Sequence, residues 1–204
     1  MTSPKVLNPN DSYTFSQYSS LPFDRADILA DLGCRVDRQR LPLPKFEGEI
    51  DHVEDLLDQI QDGIQYVGLG SEQARREFLI APVIREVCRQ SRQQVRVEYP
   101  VSVSNWLKGS FDYYFQSTNL LVIEAKRDNL DSGFTQLATE LIALDQWSDA
   151  EVPILYGAVT TGENWRFGIF QRKERLLLED MKLYRVPEEL ELLLRILLGM
   201  MRSD

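Results

Sequence analysis

The sequence has little of what thiol and transition-metal chemistry requires, with two cysteines and one histidine in 204 residues. Cys34 and Cys88 lie far apart and form no CxxC pair, and His52 has no second His or Cys at ligand spacing. This inventory argues against a zinc site and against a His-dependent catalytic triad. Any chemistry must therefore come from carboxylates, lysine and a hard metal ion.

Long apolar runs are also missing, because no stretch approaches the roughly 18 uninterrupted apolar residues of a membrane span. The polar first 20 residues lack the basic start and apolar centre of a secretory signal. Hydrophobic residues make up 43% and charged residues 27%, which is an ordinary globular balance, and the length suffices for one sizeable core. We expect a cytoplasmic protein that does not contact a membrane.

Positive charge is scarce, and the net charge of −9 argues against a nucleic-acid partner because phosphate contacts need Lys and Arg. The deficit is uneven: residues 71–130 carry nine basic and seven acidic side chains, against six and 12 in residues 1–70 and eight and 13 in residues 131–204. The middle segment could therefore meet a phosphate backbone locally. A phosphate path and a solvated helix face both stay open for five of its arginines, which are Arg75, Arg76, Arg85, Arg89 and Arg92.

Hydrophobic periodicity predicts a mixed succession of helices and strands. Apolar residues at helical spacing predict helices over 25–32, 51–66, 72–90, from a cap at 131–132 to about 144, and from 187 to about 201. Period-two alternation and apolar runs predict strands over 95–101, 111–115, 120–126, 154–160 and 165–170. Ser71 is expected to cap the helix over 72–90, and Pro82 to kink it. The short turn at 117–119 predicts an antiparallel hairpin.

This order predicts an α/β fold with a mixed central sheet flanked by helices. We expect residues 1–70 to form an N-terminal helical extension that packs on the core, with a loosely ordered start over residues 1–20. Residues 71–204 are expected to form the core and its C-terminal helix. That last helix is apolar nearly all round and must be buried on more than one side, so core packing and a homodimer seam both stay open.

Charged residues at the end of an apolar strand are the strongest chemical signal in the sequence. Glu124 and Lys126 follow three apolar residues and project to the same face of the predicted strand, because side chains alternate. Asp112 on the neighbouring strand can lie beside Glu124 in a hairpin. Two convergent carboxylates suit a hard cation such as Mg²⁺, and a lysine nearby can stabilise charge on a phosphate or position a water.

These residues resemble the core motif of the PD-(D/E)xK nucleases, in the segments 109–113 (GSFDY) and 122–127 (VIEAKR). The flanking segments 71–76 (SEQARR) and 79–84 (LIAPVI) are similar to the preceding helix in the nuclease domain of type I restriction subunits. The likeness covers about residues 71–145 and leaves the first 70 residues and the last helix unexplained. Phe111 stands where the family often has a proline before its aspartate.

The resemblance implies a restriction-endonuclease-like fold and Mg²⁺-dependent hydrolysis of DNA phosphodiester bonds, with Mn²⁺ as a substitute cofactor. It implies that Glu72 joins Asp112 and Glu124 at the metal, and that Gln136 orients the site around Lys126. The alternative is a nuclease-like module with weak or no cleavage that acts in binding or regulation, which the acidic balance of the chain favours. In that case the same fold would bind a partner without catalysis.

Overall fold

A seven-stranded sheet forms the centre of the computed structural model, which describes residues 5–116 and 120–201. The strands in chain order are β1 (Arg35–Gln39), β2 (Val95–Ser102), β3 (Lys108–Gln116), β4 (Leu120–Ala125), β5 (Ile154–Thr160), β6 (Asn164–Gln171) and β7 (Leu176–Arg185). Their spatial order is β1-β7-β6-β5-β4-β3-β2. The pairs β4/β5 and β1/β7 are parallel, and the other neighbours are antiparallel. The predicted α/β class with a mixed sheet is confirmed.

Helices cover both faces of this sheet. In chain order they are α1 (Phe15–Tyr18), α2 (Arg25–Asp31), α3 (Val53–Tyr66), α4 (Glu72–Arg75), α5 (Ala81–Ser91), α6 (Leu130–Trp147) and α7 (Leu190–Met201), with a π-helical turn (Arg76–Ile80) between α4 and α5. One apolar core joins α3, α5 and α7 to the sheet, and the other joins α1, α2 and α6 to it. On β4, Leu121 and Ile123 belong to the α7 core while Val122 belongs to the α6 core, as side-chain alternation requires.

The helical stretch over 72–91 contains an irregular turn directly before Pro82. Ser71 caps its start as predicted, since its hydroxyl accepts from the Ala74 N–H at 3.1 Å. Farther on, the Ala81 N–H donates to the Arg76 carbonyl five residues back, which widens the turn to a π-helix. Pro82 cannot donate, so the regular α-helical ladder cannot continue through it. The irregularity expected from Pro82 is thus a π turn.

Three elements of the fold were absent from the predicted order. The strand β1 is short and four of its five residues are exposed, so it shows no apolar alternation. The strand β7 carries Glu179 and Asp180 in its middle, and both are fully buried, which hides its strand pattern in the sequence. The helix α1 lies within the stretch expected to be loosely ordered, where Phe15 and Tyr18 are in fact buried.

Several predicted boundaries were wrong by a few residues. Asn129, rather than Asp131 or Ser132, caps α6, because its side-chain oxygen accepts from the Ser132 N–H at 3.0 Å. The last helix starts at Leu190 instead of residue 187, and β4 ends at Ala125. The predicted turn at 117–119 lies outside the described residues, although β3 and β4 do pair antiparallel.

The last helix α7 is buried largely within its own chain. Eight of its residues are buried, which are Leu190, Leu193, Leu194, Ile196, Leu197, Leu198, Met200 and Met201. This packing against the sheet accounts for its apolar character without a second subunit, and the homodimer stays a prediction. Within the described residues, no helix combines the length and the apolar character needed to cross a membrane.

Candidate functional site

The site begins where β3 and β4 separate. Their pairing runs as far as Tyr113 with Ile123, and the next step of that register would set Asp112 opposite Glu124. At this point the Ala125 N–H donates to Asp112 Oδ2 at 2.8 Å, so a carboxylate takes the place of a strand carbonyl. The hairpin thus brings together the two acidic residues that the sequence predicts as neighbours, at the point where β3 and β4 separate.

The Glu124 carboxylate is almost completely buried and is surrounded by charged side chains. Glu124 has 2% of its surface exposed, and its Oε1 forms an ion pair with Lys126 Nζ at 2.9 Å. Burial raises the pKa of Glu124 well above its ordinary value, Glu140 and Asp112 raise it further, and Lys126 lowers it. A positive charge close to Glu124 would therefore stabilise its ionised form.

The Lys126 ammonium is held between two acceptors on the α6 side of the sheet. Besides its contact with Glu124, it donates to Gln136 Oε1 at 2.7 Å. Burial alone would lower the pKa of Lys126, but the charge of Glu124 and the hydrogen bond to it raise that pKa above its ordinary value. The lysine is therefore protonated and acts as a fixed cation rather than a base.

A carboxyl that the sequence analysis missed completes this network. Gln136 Nε2 donates to Glu140 Oε1 at 2.9 Å, one helical turn farther along α6. Glu140 is 0% exposed, and burial raises its pKa to about 7. A glutamate four residues after a glutamine on a predicted helix was the available signal, since such residues share one helix face. Asp112 also raises the pKa of Glu140, whereas hydrogen bonds with Gln136 and Glu124 lower it.

The predicted residue Glu72 approaches the same cluster from α4. Burial raises its pKa, while the Lys126 charge lowers it and the Asp112 charge raises it again. A cavity of about 410 Å³ opens on one side of Glu72 and is lined also by Arg76 and Tyr113. A second cavity of about 430 Å³ lies on its other side and reaches Lys126. Glu72 therefore lines both cavities, and one of them reaches Lys126 of the cluster.

A second cation, Arg76, borders Asp112 from the π turn. Its Nη1 lies 3.6 Å from Asp112 Oδ1 and 3.0 Å from Glu98 Oε1, and its guanidinium lies 5.4 Å from the centre of the Tyr113 ring. Arg76 is therefore not simply a solvated residue on a helix face, which was one of the two roles left open for it. The Glu98 side chain is 66% exposed, and its backbone φ is +49°.

The donor chemistry of the cluster fits a hard divalent cation. Asp112 and Glu124 provide carboxylate oxygens, and Glu124 Oε2 is buried with no hydrogen-bond partner among the described residues. No group of three or more His, Cys, Asp or Glu in residues 5–116 and 120–201 is arranged to hold a metal. Mg²⁺ commonly takes only one or two carboxylates and completes its shell with waters and phosphate oxygens. The two convergent carboxylates are therefore a sufficient protein contribution.

Comparison with protein-family models finds no match for this chain, and comparison with curated proteins finds no significant similarity.

Proposed function

We propose that this chain is a metal-dependent nuclease that hydrolyses phosphodiester bonds of DNA, with a restriction-endonuclease-like fold. The observation that carries the proposal is the convergence of Asp112 and Glu124 from adjacent strands beside the Lys126 ammonium, 2.9 Å from Glu124. The resemblance of the segments 109–113 and 122–127 to the PD-(D/E)xK motif supports it. A cavity of about 430 Å³ that is lined by Glu72 and Lys126 offers space for a substrate beside the lysine.

In this proposal, Asp112 and Glu124 would hold Mg²⁺, which would polarise the phosphate and lower the pKa of water, and Glu72 would line the approach. The protein's own residues position the reaction. The Ala125 N–H holds Asp112 Oδ2, and Asp112 Oδ1 lies 3.6 Å from Arg76 Nη1. Lys126 provides a fixed positive charge where negative charge develops on the phosphate, and Gln136 limits its movement.

The first prediction concerns the two residues at the centre of the cluster. Asp112→Asn and Lys126→Met should each lower the rate of DNA cleavage with Mg²⁺ or Mn²⁺ by at least about 100-fold, because each removes a charge aimed at the reacting groups. EDTA should abolish cleavage by the unaltered protein. The measurement is the single-turnover cleavage rate of a labelled duplex.

Asp58→Asn is the matched control, since it removes one charge from an exposed residue of α3 on the opposite face of the sheet. It should cleave like the unaltered protein. Equal rates in Asp112→Asn, Lys126→Met and the unaltered protein would overturn the proposal.

A second candidate function is a nuclease-like module that binds without cleaving. The observation that favours it is the closed network around Lys126, whose ammonium is engaged by Glu124 and Gln136. Calorimetric titration with Mn²⁺ separates the two functions. A nuclease site should bind the ion with an affinity that drops in Asp112→Asn, whereas the binding module should show no ion binding that depends on this carboxylate.

A further inference from the structure

The strand β2 departs from regular geometry opposite the candidate site. Its antiparallel register with β3 pairs Val97 with Tyr113, and the next step along both strands sets Glu98 opposite Asp112. The pairing is interrupted at that step, and Glu98 has a left-handed backbone with a φ of +49°. A residue with a Cβ adopts this conformation only at a cost in free energy, which other interactions must offset. Two opposed carboxylates on neighbouring strands add repulsion to that cost.

The guanidinium of Arg76 lies between these two carboxylates and donates to Glu98. The hydrogen bond joins Arg76 Nη1 to Glu98 Oε1 at 3.0 Å. The same nitrogen lies 3.6 Å from Asp112 Oδ1, which is within the range of an ion pair but beyond that of a hydrogen bond. The face of the Tyr113 ring, 5.4 Å from the guanidinium, holds it from another side. Arg76 is therefore kept beside Asp112 while its hydrogen bond goes to Glu98.

The cavity beside Arg76 is rich in carboxylates. This cavity of about 410 Å³ is lined by Arg76 and by three glutamates, Glu72, Glu77 and Glu98. A cavity with such a surplus of negative charge attracts cations and repels anions. A cation that enters it meets the guanidinium of Arg76 as a competitor at Asp112.

The competition concerns one oxygen atom of Asp112. Its Oδ2 accepts from the Ala125 N–H at 2.8 Å, and its Oδ1 faces Arg76. A divalent cation needs the lone pairs of a carboxylate oxygen, and a guanidinium in hydrogen-bond contact with that oxygen would occupy them. Two positive charges beside the same oxygen also repel each other. A small movement of Arg76 towards Asp112 would therefore oppose cation binding, and the hydrogen bond to Glu98 restrains that movement.

We propose that Glu98 is a positioning residue that holds Arg76 away from Asp112 and so keeps Asp112 Oδ1 available to a divalent cation. The inference rests on the proposed function for its cation, and it concerns binding of that cation rather than the reaction. Arg76 acts against the cation, and Glu98 acts on the cation only through Arg76. The left-handed backbone of Glu98 is then part of the site, because it belongs to the residue whose carboxylate reaches Arg76.

The experiment measures Mn²⁺ affinity by isothermal titration calorimetry in the absence of DNA. We expect Glu98→Gln to weaken Mn²⁺ binding by roughly three- to tenfold, because the guanidinium then moves onto Asp112 Oδ1, a coupling usual for residues of one hydrogen-bonded network. Arg76→Gln should tighten binding by a similar factor, since the competitor is removed. The double variant should bind Mn²⁺ like Arg76→Gln alone, because Glu98 then has no arginine to hold.

Two control variants match these exchanges in charge. Glu77→Gln removes an exposed carboxylate of the same cavity, whose partner is Gln73 Nε2 at 3.1 Å. Arg85→Gln removes an exposed arginine of α5, which donates to Gln59 Oε1 at 3.0 Å. Each control should change Mn²⁺ affinity by no more than about twofold, as expected for exposed charges. Thermal unfolding checks that every variant is folded.

The double variant separates this inference from a plain loss of negative charge. If Glu98→Gln weakens Mn²⁺ binding equally with and without Arg76, Glu98 does not act through the arginine and the inference is overturned. Equal affinities in Glu98→Gln and Glu77→Gln would overturn it as well, and this comparison decides alone if Arg76→Gln does not fold.

DNA cleavage is a separate readout. If the variants shift Mn²⁺ affinity as expected while the unaltered protein cleaves nothing, the role of Glu98 stands and the nuclease is wrong. If the unaltered protein cleaves DNA while Mn²⁺ affinity is the same in all variants, the nuclease stands and the role of Glu98 is wrong. A lack of Mn²⁺ binding in every protein, Arg76→Gln included, would overturn both.

Discussion

At the scale of single residues, the orientation of one amide decides where the lysine of the site can lie. Glu140 accepts from Gln136 Nε2 at 2.9 Å, so the amide oxygen of Gln136 faces Lys126 Nζ at 2.7 Å. With the amide reversed, two groups of donors would face each other. Glu140 is therefore a positioning residue, which acts on the lysine through Gln136 without contact with the substrate.

The buried carboxyl of Glu140 should make the protein less stable as the pH rises. Its pKa in the folded chain is about 7, against an ordinary value of 4.5, so between these values the folded state binds more protons than the unfolded state. Stability due to this group is fully present below about pH 4.5 and is lost as the pH rises through about 7. We expect Glu140→Gln to raise the free energy of unfolding at pH 8 by about 2–3 kcal/mol relative to the unaltered protein.

Urea unfolding at pH 5 and pH 8 tests this expectation. The difference between Glu140→Gln and the unaltered protein should shrink strongly at pH 5, because glutamine and a protonated glutamate are then nearly equivalent. A constant difference across this range would show that Glu140 does not carry the raised pKa.

At the scale of helices and strands, the local hydrophobic pattern was enough to predict an element wherever one face of that element is apolar. The strands β2 to β6 and the helices α2, α3 and α6 all follow such patterns in the sequence. The strands β1 and β7 do not follow such a pattern. Arg38 and Glu179 lie about 140 positions apart in the sequence, and they form their ion pair only once β1 has paired with β7. The polar residues of β1 and β7 look exposed in the sequence, although Glu179 and Asp180 are fully buried.

The residues of the candidate site also fall into two groups, those that local pattern predicts and those that only tertiary packing brings in. Alternation on one strand predicts that Glu124 and Lys126 share a face, and a hairpin brings Asp112 beside them. Glu140 and Arg76 join the cluster only through packing of α6 and of the π turn on the sheet. Spacing along the chain can place Glu140 on the Gln136 face of α6, but it does not show that this face meets Lys126. For the same reason the sequence left two roles open for Arg76.

The helix α6 lies so close to the sheet that it leaves no room for a methyl group at Gly133. An added Cβ would lie 2.7 Å from Lys126 Cγ and 2.7 Å from Val159 Cγ1. We expect Gly133→Ala to lower the free energy of unfolding by about 1–2 kcal/mol, because overpacking outweighs the helix propensity of alanine. Chemical unfolding measures the stability change. DNA cleavage should fall as well, since Lys126 must shift.

Gly63→Ala is the control for this prediction, as Gly63 is also inside a helix, in α3. There the nearest atom to an added Cβ is 3.1 Å away, so a small adjustment accommodates it. Helix propensity should then offset the contact and leave stability nearly unchanged. Equal losses of stability in both variants would contradict the close approach of α6 to Lys126.

At the scale of the whole molecule, negative charge is concentrated in one segment of the chain. Residues 46–74 contain eight Asp and Glu residues and no Lys or Arg, and they include the acidic helix α3 on the α7 side of the sheet. The arginines around Glu179 lie on the α6 side. The sheet therefore separates the acidic helix α3 from these arginines.

Salt should act in opposite directions on stability and on DNA binding. Because the net charge is −9, raising KCl from 0.05 to 0.5 M screens internal repulsion, and we expect a gain on the order of 1 kcal/mol, or a rise in Tm of about 2–4 °C. DNA affinity should fall over the same range. Differential scanning calorimetry measures the first effect and fluorescence anisotropy the second.

Asp58→Lys provides the matched test of this explanation, because Asp58 is an exposed residue within the acidic segment. The exchange changes the net charge from −9 to −7 and should reduce the gain in Tm from salt. An unchanged gain would assign the salt effect to something other than repulsion within residues 46–74.

The pairing of β1 with β7 joins positions such as Arg35 and Leu176, which are distant along the chain, whereas β4 and β5 are joined across the much shorter interval that contains α6. Closing a long loop costs more chain entropy and slows the contact that closes it. During refolding, the carboxylates of β3 and β4 should therefore converge before β1 reaches the sheet. A protein caught midway would hold the Asp112 and Glu124 carboxylates together while Arg38 still lies outside the sheet.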